Sequence, residues 1–177
     1  MAEEIHWVDR YLVPLKACGK ATRRARKFTD PQAAWDTWEY PEELLWCLRA
    51  TRADGRKVVL CACEIVELAL PIFEEEYPLN EWPRKAVEAA RRYMLEPTRA
   101  NNVSAHAHAY LADCSFDPVP YGTLWRAAAR AAANAVKYPV DAAAFAYEAC
   151  YFSETKRKAM ADIVRRHFPS APVPAED

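Results

Sequence analysis

Three short patterns in this chain use the residue types from which metal and catalytic sites are built. They are Cys61-x-Cys63, His106-x-His108, and the carboxylates Glu64 and Glu67 within an otherwise apolar stretch. Residues two apart on a helix differ by about 200° in direction, so neither the cysteine nor the histidine pair can grip one ion on an unbroken helix. Both are expected to be structural, with no metal. The sequence has no Gly-rich phosphate loop, no Ser in a nucleophile-elbow setting and no HExxH. A Cys-His pair assembled only in space would leave no motif. The expectation is therefore no enzyme, no catalytic residue and no cofactor.

The two carboxylates fall on one narrow stripe of a helix together with Lys57 and Glu75. Buried carboxylates need partners. Arg84, Arg91, Lys57 or a residue of the last helix can supply them, and Glu88 shares the polar face that carries Arg84 and Arg91. Structural ion pairs are the expected use of this set, and a polar pocket is the functional alternative.

These residues are positioned by Val58 to Tyr93, the stretch around which the chain is organised. Val58 to Phe73 is apolar nearly all round apart from Glu64 and Glu67. Its uncharged runs are shorter than the roughly 20 residues a bilayer crossing needs, so it predicts a buried central helix and no membrane association. Pro71 lacks the N–H that would bond the Glu67 carbonyl, so the helix should bend or stop near Leu70. Glu74, Glu75 and Glu76 then sit at or beyond a helix C-terminus, where they oppose the macrodipole and call for a nearby cation. Pro83 suits the first turn of a second helix. Ala86, Val87, Ala90, Tyr93 and Met94 form its core face, and Pro97 ends it.

The remaining chain reads as helices packed around this pair. Residues 1–14 form an irregular extension held by Ile5, Trp7, Val8, Tyr11 and Leu12. A first helix is expected from Leu15 to Lys27, a short one from Asp30-Pro31 through Trp38, and another from Pro41 over PEELLWCLRA. Trp35, Trp38 and Trp46 should share one core cluster. Thr98 to Leu111 makes a weaker helix, and Phe116 to Tyr121 a loop. Two Ala-rich segments follow, TLWRAAARAAANAVKY and the stretch after Pro139, and they should pack closely; a kink or break falls at Ser153-Glu154. Glu154 with Lys158 and Asp162 with Arg166 are acid-before-base pairs at i, i+4. The tail from residue 170 is expected to be disordered. The fold class is thus all-α, a single domain over 15–169 of about seven to nine helices around a buried central helix.

With 24 Lys and Arg against 25 Asp and Glu, the formal net charge is −1, which argues against direct nucleic-acid binding by phosphate neutralisation. Charge is nonetheless clustered: basic at Arg23, Arg24, Arg26 and Lys27, acidic from Glu74 to Glu81. The first residues have neither a basic start nor an unbroken apolar run, and the six cysteines are scattered singly or lie in predicted helices. A cytoplasmic protein with free buried thiols is expected.

The order of DPQAAWDTW, ELLWCL, CACEIVELALPIFEEEYP, WPRKAVEAARRY and, after Ala-rich helices, ADIVRRHFP resembles the all-helical immunity proteins of bacterial polymorphic toxin systems, in particular the fifth immunity family. LALPIFEEEYP to WPRKAVEAARRY and the closing ADIVRRHFP are the most specific parts, and the likeness runs from about Leu15 to Pro169. The first 14 residues look additional, and Thr98 to Gly122 is less Ala-rich than the family pattern.

The resemblance implies a non-catalytic protein, monomer or homodimer, that binds and neutralises a cognate toxin domain or other effector protein. Such binding needs a patch of about 800 Å² per partner with a few aromatic or charged anchors. The candidate is the ridge of Glu74, Glu75, Glu76 and Glu81 beside Tyr77 and Trp82, whose acidity would suit a nuclease toxin. The alternative is a helical small-molecule binder, such as a sponge for a nucleotide signal in a phage-encoded anti-defence role, with Arg84, Arg91 or the cluster near Arg23 facing the phosphates. A pocket of convergent Arg and Trp would favour it.

Overall fold

A computed structural model describes residues 5–114, 124–150 and 153–174. Ten α-helices and one turn of π-helix account for these residues, and no strand occurs among them. The helices are α1 (Gly19–Ala25), α2 (Pro31–Thr37), α3 (Pro41–Ala50), α4 (Gly55–Glu67), α5 (Leu70–Glu76), α6 (Trp82–Leu95), α7 (Arg99–Cys114), α8 (Leu124–Asn134), α9 (Pro139–Ala149) and α10 (Glu154–His167). Short side-chain caps start several of them. Asp30, Asp54 and Ser153 accept from backbone N–H groups in the first turns of α2, α4 and α10, and prolines occupy the first turns of α2, α3, α5, α6 and α9, where a missing N–H costs nothing.

The expected central helix is α4. Val58, Cys61, Ala62, Cys63, Ile65 and Val66 are buried, and helices α3, α5, α6, α8, α9 and α10 all pack on it. Pro71 acts more sharply than a bend. The chain leaves helical hydrogen bonding at Leu68 and Ala69 and restarts as α5, with Pro71 in the new first turn. This division, with the break between α9 and α10 at the Ser153 cap, carries the helix number slightly past the expected range.

Alanines set the closest approach. Ala128, Ala131, Ala132 and Ala135 of the α8 segment and Ala142, Ala143, Ala146 and Ala149 of α9 are all buried where these helices pack together, as the composition predicts. The Asn-containing segment after Pro97 forms a full 16-residue helix, α7, packed along α6. Its start is satisfied locally: Thr98 Oγ1 accepts from the Asn101 N–H, and Asn101 Nδ2 donates to the Glu96 carbonyl.

The first helix is shorter than expected. The first helix starts only at Gly19, capped by Cys18. Residues 8–12 wind into the π-turn with Val8 fully buried, and Trp7 Nε1 donates to the Phe28 carbonyl at 2.9 Å, so Trp7 and Val8 pack on the body, whereas Ile5, expected to help hold this segment, is 71% exposed. At the other end, the Ala171 N–H donates to Gln32 Oε1 at 2.8 Å and Gln32 Nε2 donates to the Pro169 carbonyl at 3.1 Å. The segment expected to be loose from residue 170 is therefore tied to α2 as far as Ala171. The loop expected over 116–121 lies outside the described residues.

Candidate functional site

The ridge nominated from sequence is the α5–α6 turn. Phe73, fully buried, roots it, and Tyr77 stacks on Phe73 with ring centroids 5.1 Å apart. The Asn80 N–H donates to the Tyr77 carbonyl, and Asn80 Oδ1 accepts from the Trp82 N–H at 3.2 Å, which closes the turn and starts α6. At its tip Leu79 is 96% exposed and Trp82 38% exposed, the latter beside His108 at a ring separation of 6.0 Å.

The ridge is less acidic than its sequence. Glu74 accepts two hydrogen bonds from Arg84, at Nε and, at 2.7 Å, at Nη2. This fork supplies the cation that a carboxylate near a helix C-terminus calls for. Glu81 pairs with Lys85 at 2.7 Å, and Lys85 also lies 5.2 Å from the Trp82 ring centroid. The bond to Lys85 holds the Glu81 carboxyl below the usual range. Glu75 and Glu76 remain as exposed carboxylates beside the apolar tip, and Glu88 is exposed further along α6.

The carboxylates of α4 do not share a pocket. Glu67 pairs with Arg91 of α6 at 2.8 Å, whereas Glu64 pairs with Arg166 and, at 2.8 Å, with His167 Nε2 of α10. Burial would raise the Glu64 carboxyl, but the bond from His167 and the charge of Arg166 outweigh it and hold the group below its ordinary value. The stripe thus divides into two staples, one to each flanking helix. Arg166 is consequently unavailable to Asp162, which pairs with Arg165 at 2.6 Å instead of making the expected i, i+4 pair, while Glu154 and Lys158 pair as expected at 2.8 Å. Arg165 also donates to the Trp38 carbonyl at 2.7 Å, tying α10 to the end of α2.

The cysteine and histidine pairs differ in burial and in their partners. No group of three or more metal-ligating side chains occurs among the described residues. Cys61 and Cys63 are buried in α4, and burial pushes the Cys63 thiol up to about 12. A thiol so protonated is a poor nucleophile at neutral pH. His106 is exposed, whereas His108 turns back to its own helix, with Nδ1 2.8 Å from the Ser104 carbonyl.

A second feature escaped the sequence reading. The tryptophans expected to form a solid cluster surround a cavity of about 330 Å³. Trp7, Trp35, Trp38 and Trp46 line it, with Glu42 and Glu43 at its wall and Lys16, Ala17, Cys18, Ala171 and Pro172 among its lining. Three of the four indole N–H groups are used internally: Trp7 to the Phe28 carbonyl, Trp35 to the Phe168 carbonyl at 2.8 Å, and Trp38 to Glu43 at 2.8 Å. Glu43 also receives Arg24 at 2.7 Å, and Arg24 stacks over Tyr40 at 3.8 Å while Arg157 lies over the same ring at 4.8 Å. Arg26 is held by Asp9 at 2.8 Å, so half of the basic cluster is committed internally.

Glu42 is the exception. Its Oε2 is buried and has no hydrogen-bond partner. Burial, with the neighbouring Glu43 carboxylate adding to it, pushes its carboxyl above the ordinary range despite its own backbone N–H, Arg24 and Arg157. The only hint in the sequence was the spacing of Trp35, Trp38, Glu42, Glu43 and Trp46, which reads equally as core.

No protein-family model, curated protein or solved structure matches this chain. What it does must therefore be argued from its own two surfaces, the braced turn and the tryptophan cavity.

Proposed function

We propose that this chain is a non-catalytic, immunity-type protein that binds a toxin or other effector protein through the α5–α6 turn and neutralises it. The observation that carries the reading is the tip itself: Leu79 and Trp82 are presented to solvent on a turn braced by the Glu74–Arg84 fork and rooted on Phe73. A large apolar residue held out on a rigid support, rimmed by charge, is what a protein–protein anchor requires. Glu75 and Glu76 beside it give a local negative potential that steers a basic partner, as a nuclease with a phosphate-binding active site would be. The resemblance of LALPIFEEEYP and WPRKAVEAARRY to the immunity proteins points to the same reading, and these residues build the turn.

A sponge for nucleotide signals finds less support. Arg84 and Arg91 are each held by a carboxylate, and the tryptophan cavity is walled by Glu42 and Glu43. The guanidiniums of Arg24 and Arg157 near these acids are already bonded to Glu43 and Glu39.

The test is to purify the tagged chain from its own host, identify any stoichiometric protein partner, and repeat the capture with Leu79→Asp and Trp82→Ala. The reading expects a partner carrying a toxin or effector domain, and at least a tenfold loss of affinity in the variants, since interface anchors typically contribute about 2 kcal/mol or more. A partner bound equally by the variants would remove the site from this turn. Absence of any protein partner would count against the function.

A further inference from the structure

We propose that the solvent face of α7 is a dimer interface, on which a second copy of this chain docks antiparallel about a two-fold axis beside His106. Ala105 and Ala112 are fully buried and turn one side of α7 to the body, where the helix packs on α6 and α8. The opposite side carries Val103, His106, Ala107 and Tyr110, all exposed, Val103 at 61% and Tyr110 at 68%. At about 100° per residue these four, with Arg99 and Asp113, lie within an arc of about 120°. Apolar side chains repeated along one outward helix face mark an interaction surface.

The charges on this face decide what covers it. From Ala100 to Ala112 the helix has no Asp, Glu, Lys or Arg, so the face is charged only at its ends, by Arg99 and Asp113. Both are exposed, and neither makes an ion pair among the described residues. Both also oppose their own helix, since a cation stands at its N-terminus and an anion at its C-terminus. They are equidistant in sequence from His106. Antiparallel docking about an axis there lays Arg99 of each copy beside Asp113 of the other, next to the helix end whose partial charge favours it, and brings Val103 against Tyr110. Parallel docking would set like charges side by side. An unrelated protein would need the reverse charge order at the same spacing, whereas a second copy has it by symmetry.

Size sets the strength of the contact. From Arg99 to Asp113 the face is about 21 Å long at about 1.5 Å per residue. One helix pair of that length covers less than the about 800 Å² per partner of a standard interface, so the dimer should dissociate on dilution. It should also weaken in salt, which screens the exposed Arg99–Asp113 contacts. The effector reading is not needed for any of this, because the chain itself supplies both sides.

Sedimentation equilibrium of the purified whole chain, from about 1 μM to about 1 mM, tests the proposal. The buffer is kept reducing because Cys18 and Cys114 are exposed and could crosslink copies. The expectation is a monomer–dimer equilibrium, weakened at least about tenfold by Val103→Glu and by Arg99→Asp or Asp113→Arg alone, and returned to within about threefold of the parent when the two reversals are combined. Each reversal complements the dipole of α7, so neither should unfold the helix, and circular dichroism verifies that. A monomer at every concentration, an assembly larger than a dimer, single reversals without effect, or a double variant no better than the singles would each overturn the proposal. If the chain alone is monomeric while Val103→Glu loses capture of an effector protein, the face belongs to that partner and the dimer is refuted.

Discussion

The α5–α6 turn and the tryptophan cavity are built from the same materials, aromatic rings and glutamates, and treat them in opposite ways. At the turn the rings and acids project outward from a filled base. Phe73 fills the space beneath, Glu74 and Glu81 are neutralised by Arg84 and Lys85, and what remains for a partner is Leu79, Trp82, Glu75 and Glu76. At the cavity the rings face inward around unfilled space, and Glu42 is left without the cation its neighbour Glu43 has. A protein partner needs a projecting, rigid surface, whereas a small ligand needs a concave one with a few unsatisfied polar groups. The difference lies in which spaces are filled and which charges are paired, and composition carries neither.

The largest expected effect tests that contrast in packing. Phe73→Ala removes a ring from a filled site and should cost about 3–5 kcal/mol in urea denaturation. Trp46→Ala removes a larger ring from the edge of a void, where it is half-buried, and should cost less than half as much, since little new cavity is made. Equal losses would mean that the cavity closes in solution and that the contrast is false.

A smaller effect tests the contrast in charge. Burial pushes the Glu42 carboxyl up, so the folded chain holds that proton to higher pH than the unfolded chain does. The stability tied to this group is full below the ordinary glutamate value of about 4.3 and falls as pH rises from there through its folded value. Glu42→Gln carries no charge to bury. Its melting temperature should match the parent near pH 4 and exceed it at pH 7, by about 2–4 °C if the relief is about 1 kcal/mol. Glu64 has the opposite sign. His167 and Arg166 hold its carboxyl down, so its contribution is present above the ordinary glutamate value and lost as pH falls through the lower folded one. Glu64→Gln should accordingly destabilise at pH 7 and match the parent in strong acid, by less than about 1 kcal/mol at so exposed a pair.

These elements also mark what could be read from the amino-acid order. The central helix was legible because Val58 to Phe73 has one polar stripe and a proline at a known distance, and the Ala-rich packing of α8 on α9 because alanine serves a helix in few other ways. The partners of Glu64 and Glu67 were legible as a set, Arg91 and the last helix, but not as a division between two sides of α4. That division depends on which flanking helix each carboxylate faces, which is tertiary information. The pair predicted between Asp162 and Arg166 failed for the same reason. Local spacing offers a partner, and Glu64, 102 residues away, takes it. The cavity was illegible in principle, because Trp35, Trp38 and Trp46 have the same spacing whether the space between them is filled or empty.

The smallest change in stability gives the finest test of the turn. Arg84→Ala opens the fork on Glu74, and because Arg84 is an exposed side chain the loss should be less than about 1 kcal/mol. Its effect on association has no fixed direction until two roles are separated. If Arg84 serves mainly to neutralise, its removal adds Glu74 to the free acids Glu75 and Glu76, and a basic partner should associate faster, with the gain vanishing in high salt. If it serves mainly to brace, the turn that carries Leu79 and Trp82 loosens, and the complex should dissociate faster at every salt concentration. Arg84→Lys keeps the charge but cannot form the fork. A Lys variant that behaves like Ala in dissociation identifies bracing, whereas one that behaves like the parent identifies neutralisation, and rates measured at low and high salt for the three proteins are sufficient to tell.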